Sequence, residues 1–251
     1  MSGAPVEIAA QVVRWQAEHG RNQLPWQNTR DAYRVWLSEI MLQQTQVVTV
    51  LEYYARFLAR FPDVRQLAAA PQDEVLALWS GLGYYSRARN LHRCAQIVVA
   101  EHGGEFPRTV HELAALPGIG RSTAGAIAAF CYGVRAPILD ANVRRVLTRA
   151  LGFGADLAEA RNERALWSLA EALLPDTDLA STMPRYTQGL MDLGAGICLP
   201  RSPCCMLCPL QPVCVAGRAG DAERYPVRTR KLKRRAEAWW LLLRQDRAGR
   251  L

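Results

Sequence analysis

The chain has 251 residues, of which 50% are hydrophobic, and a formal net charge of +8. This length allows one or two domains with real cores, and no apolar run approaches the roughly 20 residues that a membrane span needs. The seven cysteines include the isolated Cys94 and Cys131, which argues against a secreted disulfide framework. Because the N-terminus also lacks a signal-peptide pattern, we expect a cytoplasmic protein that contacts no membrane.

The positive charge is concentrated at the C-terminal end. Residues 224–251 carry the whole excess, whereas residues 1–223 sum to zero. Any affinity for DNA in the body of the chain must therefore come from locally placed arginines and main-chain amides. The basic run at 224–235 is equally well explained as a solvated linker.

The hydrophobic pattern is helical along most of the chain and predicts a mostly α protein of short helices. The predicted helical segments are 8–15, a long one over 31–54, 76–79, 91–99, 109–116, 122–130, 140–151 and 163–174. The pair Thr109 and Glu112 forms a capping box at one of these starts. The apolar run at 239–243 favours a strand instead, with a last buried helix as the alternative.

Glu39 is an acidic residue on an apolar stripe of the long predicted helix. Its neighbours one turn away are Val35, Trp36 and Leu42. Burial penalises the ionised form, so the pKa of this carboxyl is expected to rise, and a Glu is seldom buried without a purpose. The alternative is a structural Glu bonded to Gln43 or Arg34.

Residues 116–124 place Gly118 and Gly120 between two helical stretches. The glycines allow a tight turn that exposes main-chain amides, and the helix that begins there adds the positive end of its dipole. A helix-hairpin-helix of this kind binds a phosphate without reading base sequence. An ordinary corner between two helices would use the same glycines.

Asp140 precedes a predicted helix at its N-cap position. Amides and the helix dipole favour the ionised form there, so the pKa of Asp140 is expected to fall. Taken alone, this residue is explained as a simple helix cap. Together with Glu39 it suggests one protonated and one ionised carboxyl, a division that cleaves glycosidic bonds through an oxocarbenium-like transition state.

Four cysteines, Cys198, Cys205, Cys208 and Cys214, fall within seventeen positions. So compact a run suits a 4Fe–4S cluster held by thiolates, whereas a Cys₄ zinc site usually has two separated C-x-x-C knuckles. Zinc and disulfides remain alternatives. Cys204 competes with Cys205 for the second position, and we prefer Cys205 because it completes the knuckle with Cys208.

With these motifs, the chain resembles the endonuclease-III-like superfamily of DNA glycosylases and, within it, the MutY-type adenine DNA glycosylases. The resemblance covers residues 24–214. The motifs are Leu-Pro-Trp at 24–26, Ser-Glu-Ile-Met-Leu-Gln-Gln-Thr-Gln-Val at 38–47, Gly-Leu-Gly-Tyr-Tyr-Ser-Arg-Ala-Arg-Asn-Leu at 81–91, the hairpin at 116–125, Ile-Leu-Asp-Ala-Asn-Val at 138–143 and the four-cysteine loop. The hairpin alone would indicate only the superfamily.

The resemblance implies a fold of two helical lobes, with double-stranded DNA bound between them by a monomer. Residues 31–135 would form a six-helix barrel that includes the hairpin. Residues 1–30 and 136–223 would form the lobe that holds a 4Fe–4S cluster. Residues 224–251 would be a basic linker and the start of a truncated NUDIX-like domain, which in this family helps recognise 8-oxoguanine. The chemistry is expected to survive without that domain.

The resemblance also implies that adenine opposite 8-oxoguanine or guanine is flipped out of the duplex and removed. Glu39 would protonate the imidazole ring of the adenine, and Asp140 would stabilise the sugar cation. Gln44 and Tyr84 would wedge into the duplex. Trp26 and Asp192 are weaker candidates for the adenine pocket, and Asn142 and Arg144 would hold the backbone near the lesion.

Ser122 separates the subclasses implied by the resemblance. Bifunctional relatives have a lysine at this position, and a serine cannot form an imine, so we expect base removal without efficient strand cleavage. The cluster would brace the loop from which Arg201 reaches a phosphate. The competing functions are a pyrimidine-specific glycosylase with lyase activity and a non-catalytic iron–sulfur DNA-binding protein.

Overall fold

The computed structural model describes residues 4–229, and this part of the chain is helical with no strand. The helices are α1 (Ala4–His19), α2 (Ala32–Met41), α3 (Val47–Arg60), α4 (Val64–Ala69), α5 (Gln72–Trp79), α6 (Ser86–His102), α7 (Val110–Ala115), α8 (Arg121–Tyr132), α9 (Ala141–Leu151), α10 (Ala160–Ala172), α11 (Leu179–Gly196) and α12 (Val215–Ala219). The mostly α fold class is confirmed. The strand predicted at 239–243 lies outside the described residues. None of the described helices is long and apolar enough to cross a membrane.

The long helix predicted over residues 31–54 is wrong, because the structure divides it into α2 and α3. Asp31 caps α2 as expected, its side chain accepting a hydrogen bond from the Arg34 amide at 3.0 Å. The chain then leaves the helix at residues 42–46, where Gln44 has a φ of 60°. This left-handed conformation is costly for a residue with a side chain, so contacts from elsewhere must hold the break.

Two hydrophobic cores lie on either side of α8. The first is built by α2 to α8 around large aromatic residues, with Trp36, Phe57 and Trp79 fully buried. The second is built by α1, α8, α9, α10 and α11. Small residues let α8 serve both, because Ala128 faces the first core and Ala129 the second. The domain boundaries given above stay a prediction, since α8 belongs to both cores.

Local capping rules set the start of α7 and α9. The Thr109 hydroxyl accepts a hydrogen bond from the Glu112 amide at 3.2 Å, so the predicted N-cap is present. The reciprocal bond of a capping box is not formed, because the Glu112 carboxylate accepts from the Thr109 hydroxyl and not from the Thr109 amide. The Asp140 carboxylate accepts one from the Val143 amide at 2.8 Å. Each cap satisfies amides that have no partner within their own helix, and the second one places a carboxylate beside α8.

Candidate active site and cysteine loop

A cleft of about 1330 Å³ runs between the elements of the two cores. Six of the sequence-predicted site residues line it. They are Trp26, Glu39, Gln44, Ser122, Asp140 and Asn142. A cleft of this size can enclose a nucleoside, since ligand pockets typically measure about 300–1,000 Å³. The two candidate catalytic carboxyls therefore open into the same space.

Glu39 lies near the C-terminal end of α2, on the wall of the cleft. Burial, and secondarily repulsion from Asp140, raises the pKa of the Glu39 carboxyl from its ordinary value of 4.5 to about 8. Within residues 4–229 this carboxyl has no hydrogen bond, and the Gln43 amide points instead to the Gly118 carbonyl at 3.5 Å. A structural Glu bonded to Gln43 or Arg34 is therefore not what the structure shows.

Asp140 is held at the N-terminus of α9 by contacts on both sides. The preceding residue, Leu139, donates its amide to the Ser122 hydroxyl at 2.9 Å. The expected fall in the pKa of Asp140 is wrong: burial raises it, although the amides of Val143 and Asn142 oppose that rise. Desolvation outweighs the two amide hydrogen bonds that favour the anion.

The two carboxyls differ in their hydrogen-bond donors. Asp140 has two backbone amides and the charges of Arg144 and Arg145 to favour its anion, while only burial and a like charge act on Glu39. Of the pair, Asp140 is therefore the one that ionises first as the pH rises. Both pKa values are displaced upward, and the division into a protonated and an ionised acid stays a prediction.

Gln44 and Tyr84 are exposed and have left-handed backbones. Their φ angles are 60° and 49°, and Tyr84 is 61% exposed. Such residues cost on the order of 1–3 kcal/mol each and cluster at functional sites. Gln44 lines the cleft, whereas Tyr84 lies outside it on the adjacent loop between α5 and α6.

The hairpin between α7 and α8 has the turn that its glycines predict. Gly118 has a φ of +79°, which a larger residue would adopt only under strain. Gly120 is the N-cap of α8 and offers no side-chain acceptor, so the first-turn amides of α8 are free of a side-chain cap. The geometry suits a phosphate at this helix end.

Besides Tyr84 and the two hairpin glycines, three predicted contact residues do not line the cleft. Arg144 pairs with Glu163 at 2.8 Å, and Arg201 is exposed on the loop after α11. Asp192 is buried and accepts from the Arg21 guanidinium at 2.6 Å and from the Arg21 amide at 2.9 Å. Asp192 therefore fastens the segment after α1 onto α11, and Arg21 is the member of the pair that reaches the cleft.

The sequence interpretation missed the part that α11 plays in the cleft. Gln188, Met191 and Ala195 line it from one face of this helix. Their spacing of three and four residues is the signal of a helical face. Gln188 is buried and donates one amide hydrogen to Asp192 at 2.8 Å, which leaves its amide carbonyl on the cleft side of the helix.

The four predicted cysteine ligands line one small cavity beneath α9 and α12. Arg149 donates to the Cys198 sulfur at 3.3 Å, and the Gly217 amide donates to the Cys214 sulfur at 3.3 Å. None of the cysteines in the described chain forms a disulfide. Cys204 is exposed and does not line the cavity, so Cys205 fits the set better.

Two of these thiols, Cys208 and Cys214, lie where the thiolate is disfavoured. Burial, with neighbouring cysteines adding to it, raises the pKa of Cys208 to about 11 and also raises the pKa of Cys214. Among residues 4–229, no three His, Cys, Asp or Glu side chains are gathered as ligands of a single metal ion. The arrangement is a shared cavity with sulfurs on its wall, not a tight single-ion cage.

Comparison with known proteins agrees with this site. Residues 37–172 match the model of the HhH-GPD superfamily of base excision DNA repair proteins. The adenine DNA glycosylase of Mycolicibacterium smegmatis is 42% identical over 84% of this chain and 68% of that protein. That of Buchnera aphidicola from Acyrthosiphon pisum is 39% identical over 94% of this chain and 66% of that protein. The chain thus spans about two thirds of these relatives' length, and 40% of the human one.

Solved structures show the same fold. A thermostable thymine-DNA glycosylase superposes with a TM-score of 0.76 at 29% identity, covering 86% of this chain and 97% of that one. A non-covalent complex of endonuclease III with DNA gives a TM-score of 0.67 at 22% identity, with 84% and 94% covered. The family match, the relatives and the cleft with its paired carboxyls agree: this chain belongs to the HhH-GPD superfamily of base excision DNA repair proteins and, within it, to the adenine DNA glycosylase family.

Proposed function

We propose that this protein removes adenine from double-stranded DNA by hydrolysing its N-glycosidic bond, and that it acts on adenine opposite 8-oxoguanine or guanine. The observation that carries the proposal is the pair Glu39 and Asp140 on one cleft, with the pKa of Glu39 raised to about 8. An acid that keeps its proton at neutral pH can give it to a leaving base. The adenine DNA glycosylase relatives supply the choice of base.

In the proposed reaction, adenine leaves the stack and enters the cleft beside Trp26 and Gln188. Glu39 protonates the imidazole ring, so the C1′–N9 electron pair departs with a neutral base. The developing sugar cation is stabilised by the Asp140 anion, electrostatically or through a transient covalent bond. Water then bonds to C1′, and its proton passes to Glu39, which restores the acid.

Ser122 makes the proposed enzyme monofunctional. Its hydroxyl already accepts a hydrogen bond from Leu139, and a serine cannot form the imine through which a lysine would cut the strand. Gln44 and Tyr84 would enter the duplex and fill the gap left by the flipped adenine. Gly118, Gly120, Asn142, Arg144 and Arg201 would hold the phosphate backbone around the lesion.

We further propose that Cys198, Cys205, Cys208 and Cys214 hold a 4Fe–4S cluster. Around one zinc ion, sulfurs bound at about 2.3 Å would lie about 3.8 Å apart, and the described chain gathers no such tight group. A cube spreads its ligands over four irons, and N–H groups from Arg149 and Gly217 already face two of the sulfurs. When bound, the cluster would brace the loop that carries Arg201.

The test compares three duplexes, with adenine opposite 8-oxoguanine, adenine opposite guanine, and thymine opposite guanine. Each is incubated with excess protein and analysed with and without hot alkali. We expect breaks at the adenine only after alkali, and no adduct with borohydride. Breaks only in the thymine duplex, breaks without alkali, or a borohydride adduct would each overturn the proposal. A visible absorption band of the isolated protein distinguishes iron–sulfur from zinc.

A further inference from the structure

A buried guanidinium joins the two loops that carry Gln44 and Tyr84. Arg87 lies in the first turn of α6 and is only 9% exposed. Its Nη1 donates to the carbonyls of Ile40, Met41 and Gln43 at 3.1, 2.9 and 2.5 Å. These acceptors end α2 and lead directly into the left-handed Gln44.

The second terminal nitrogen of the guanidinium, Nη2, binds both loops. Nη2 donates to the Thr45 hydroxyl at 3.1 Å, on the far side of Gln44. It also donates to the carbonyls of Leu82 and Gly83 at 3.1 and 3.3 Å, immediately before the left-handed Tyr84. The Tyr84 ring itself lies against the guanidinium, with 5.6 Å between the Arg87 Cζ and the ring centroid.

We propose that Arg87 is a positioning residue that holds Gln44 and Tyr84 as one preformed, two-pronged wedge. The carbonyls of Ile40, Met41 and Gln43 all point to this one cation, and this draws the chain out of the helix just before Gln44. A planar fork with several fixed donors can bind acceptors from two loops at once, which the point charge of a lysine cannot reproduce. The inference rests on the proposed function, because it assigns Arg87 a role in opening the duplex.

Preformation matters because both prongs have strained backbones. Without Arg87, the α2–α3 connection and the α5–α6 connection would each relax toward ordinary φ values, and the strain would have to be restored during DNA binding. The consequence is a slower opening of the base pair, with the Glu39 and Asp140 chemistry left intact. Arg87 contacts neither of those carboxyls.

A double-mutant cycle separates this role from a merely structural one. Single-turnover excision of adenine opposite 8-oxoguanine is measured for Arg87→Gln, for the pair Gln44→Ala and Tyr84→Ala, and for all three together, with the exposed Arg93→Gln on the same helix as control. We expect Arg87→Gln to slow the reaction about tenfold or more in the wild-type background and less than twofold where the wedge is already absent. Equal factors in both backgrounds would overturn the inference.

Hydrogen exchange of the free protein gives a readout that does not depend on activity. Arg87→Gln should increase exchange of the Gln44, Thr45 and Tyr84 amides while the two cores remain protected. Unchanged exchange of these three amides would contradict the proposed role of Arg87. If Arg87→Gln does not fold, Thr45→Val removes one acceptor and takes its place. A slowing that vanishes without the wedge supports the inference, and full activity contradicts it. A wild-type protein that excises no adenine would contradict the proposed function. Hydrogen exchange would still show whether Arg87 holds the two loops.

Discussion

Replacing Glu39 by Gln should stabilise the folded protein at neutral pH while it abolishes excision. The pKa of Glu39 is about 8 in the folded state, against an ordinary value of 4.5, because burial and the charge of Asp140 disfavour its anion. Between these two pH values the folded protein keeps a proton that the unfolded chain has released. Stability contributed by this carboxyl is therefore present at low pH and is lost as the pH rises from about 4.5 to 8.

The magnitude follows from the linkage slope. One proton of difference changes the free energy of unfolding by about 1.4 kcal/mol per pH unit. The advantage of Glu39→Gln over wild type should thus grow by about 2 kcal/mol between pH 5.5 and pH 7. A glutamine fills nearly the same space and has no charge to desolvate, so the rest of the fold is left as it is.

The assay is urea unfolding followed by far-ultraviolet circular dichroism at a series of pH values. Glu101→Gln, an exposed replacement on α6, serves as the matched control and should show no such slope. A difference between wild type and Glu39→Gln that is independent of pH, or that shrinks as the pH rises, would refute the reasoning. It would mean that Glu39 is ionised at neutral pH and cannot be the acid.

Four further outcomes follow. Single-turnover excision should decline above about pH 8, as Glu39 loses its proton; a rate that stays level to pH 9.5 would exclude this acid. Asp140→Asn keeps a good helix cap, so thermal stability should barely change while excision is lost. Asp192→Asn should cost about 1–3 kcal/mol in urea unfolding, because the Arg21 guanidinium loses its charged acceptor. Gly194→Ala would place a Cβ 2.5 Å from that of Asn142 and should destabilise the protein by about 1–3 kcal/mol, whereas Gly196→Ala meets nothing within 4 Å and should not.

Local rules were sufficient wherever a feature depends on neighbours in sequence. Asp31, Thr109 and Asp140 all cap the helices that their positions predict, since the cap is a contact within one turn. The raised pKa of Glu39 was also predictable, because an apolar stripe on a helix indicates which side chains will be buried. The cysteine loop belongs with these features, as its four sulfur-bearing residues lie close in the chain.

Features that depend on distant contacts could not be predicted in this way. The break at residues 42–46 has no proline or glycine to announce it, and the carbonyls that leave the helix are held by Arg87, more than forty residues later. The direction of the Asp140 pKa was mispredicted for a related reason. The cap is local and favours the anion, whereas the burial that outweighs it depends on how the rest of the fold surrounds the carboxyl.

The proposed reaction needs a protonated Glu39 and an ionised Asp140, although both carboxyls line the same cleft. Burial raises the pKa of both carboxyls, so burial alone does not distinguish the acid from the anion. Two features separate them. The amides of α9 and the charges of Arg144 and Arg145 favour the Asp140 anion, whereas Glu39 lies near the opposite end of α2, where no free amides remain. A carboxyl at the start of a helix that also carries two nearby arginines therefore ionises more readily than one near the end of a second helix.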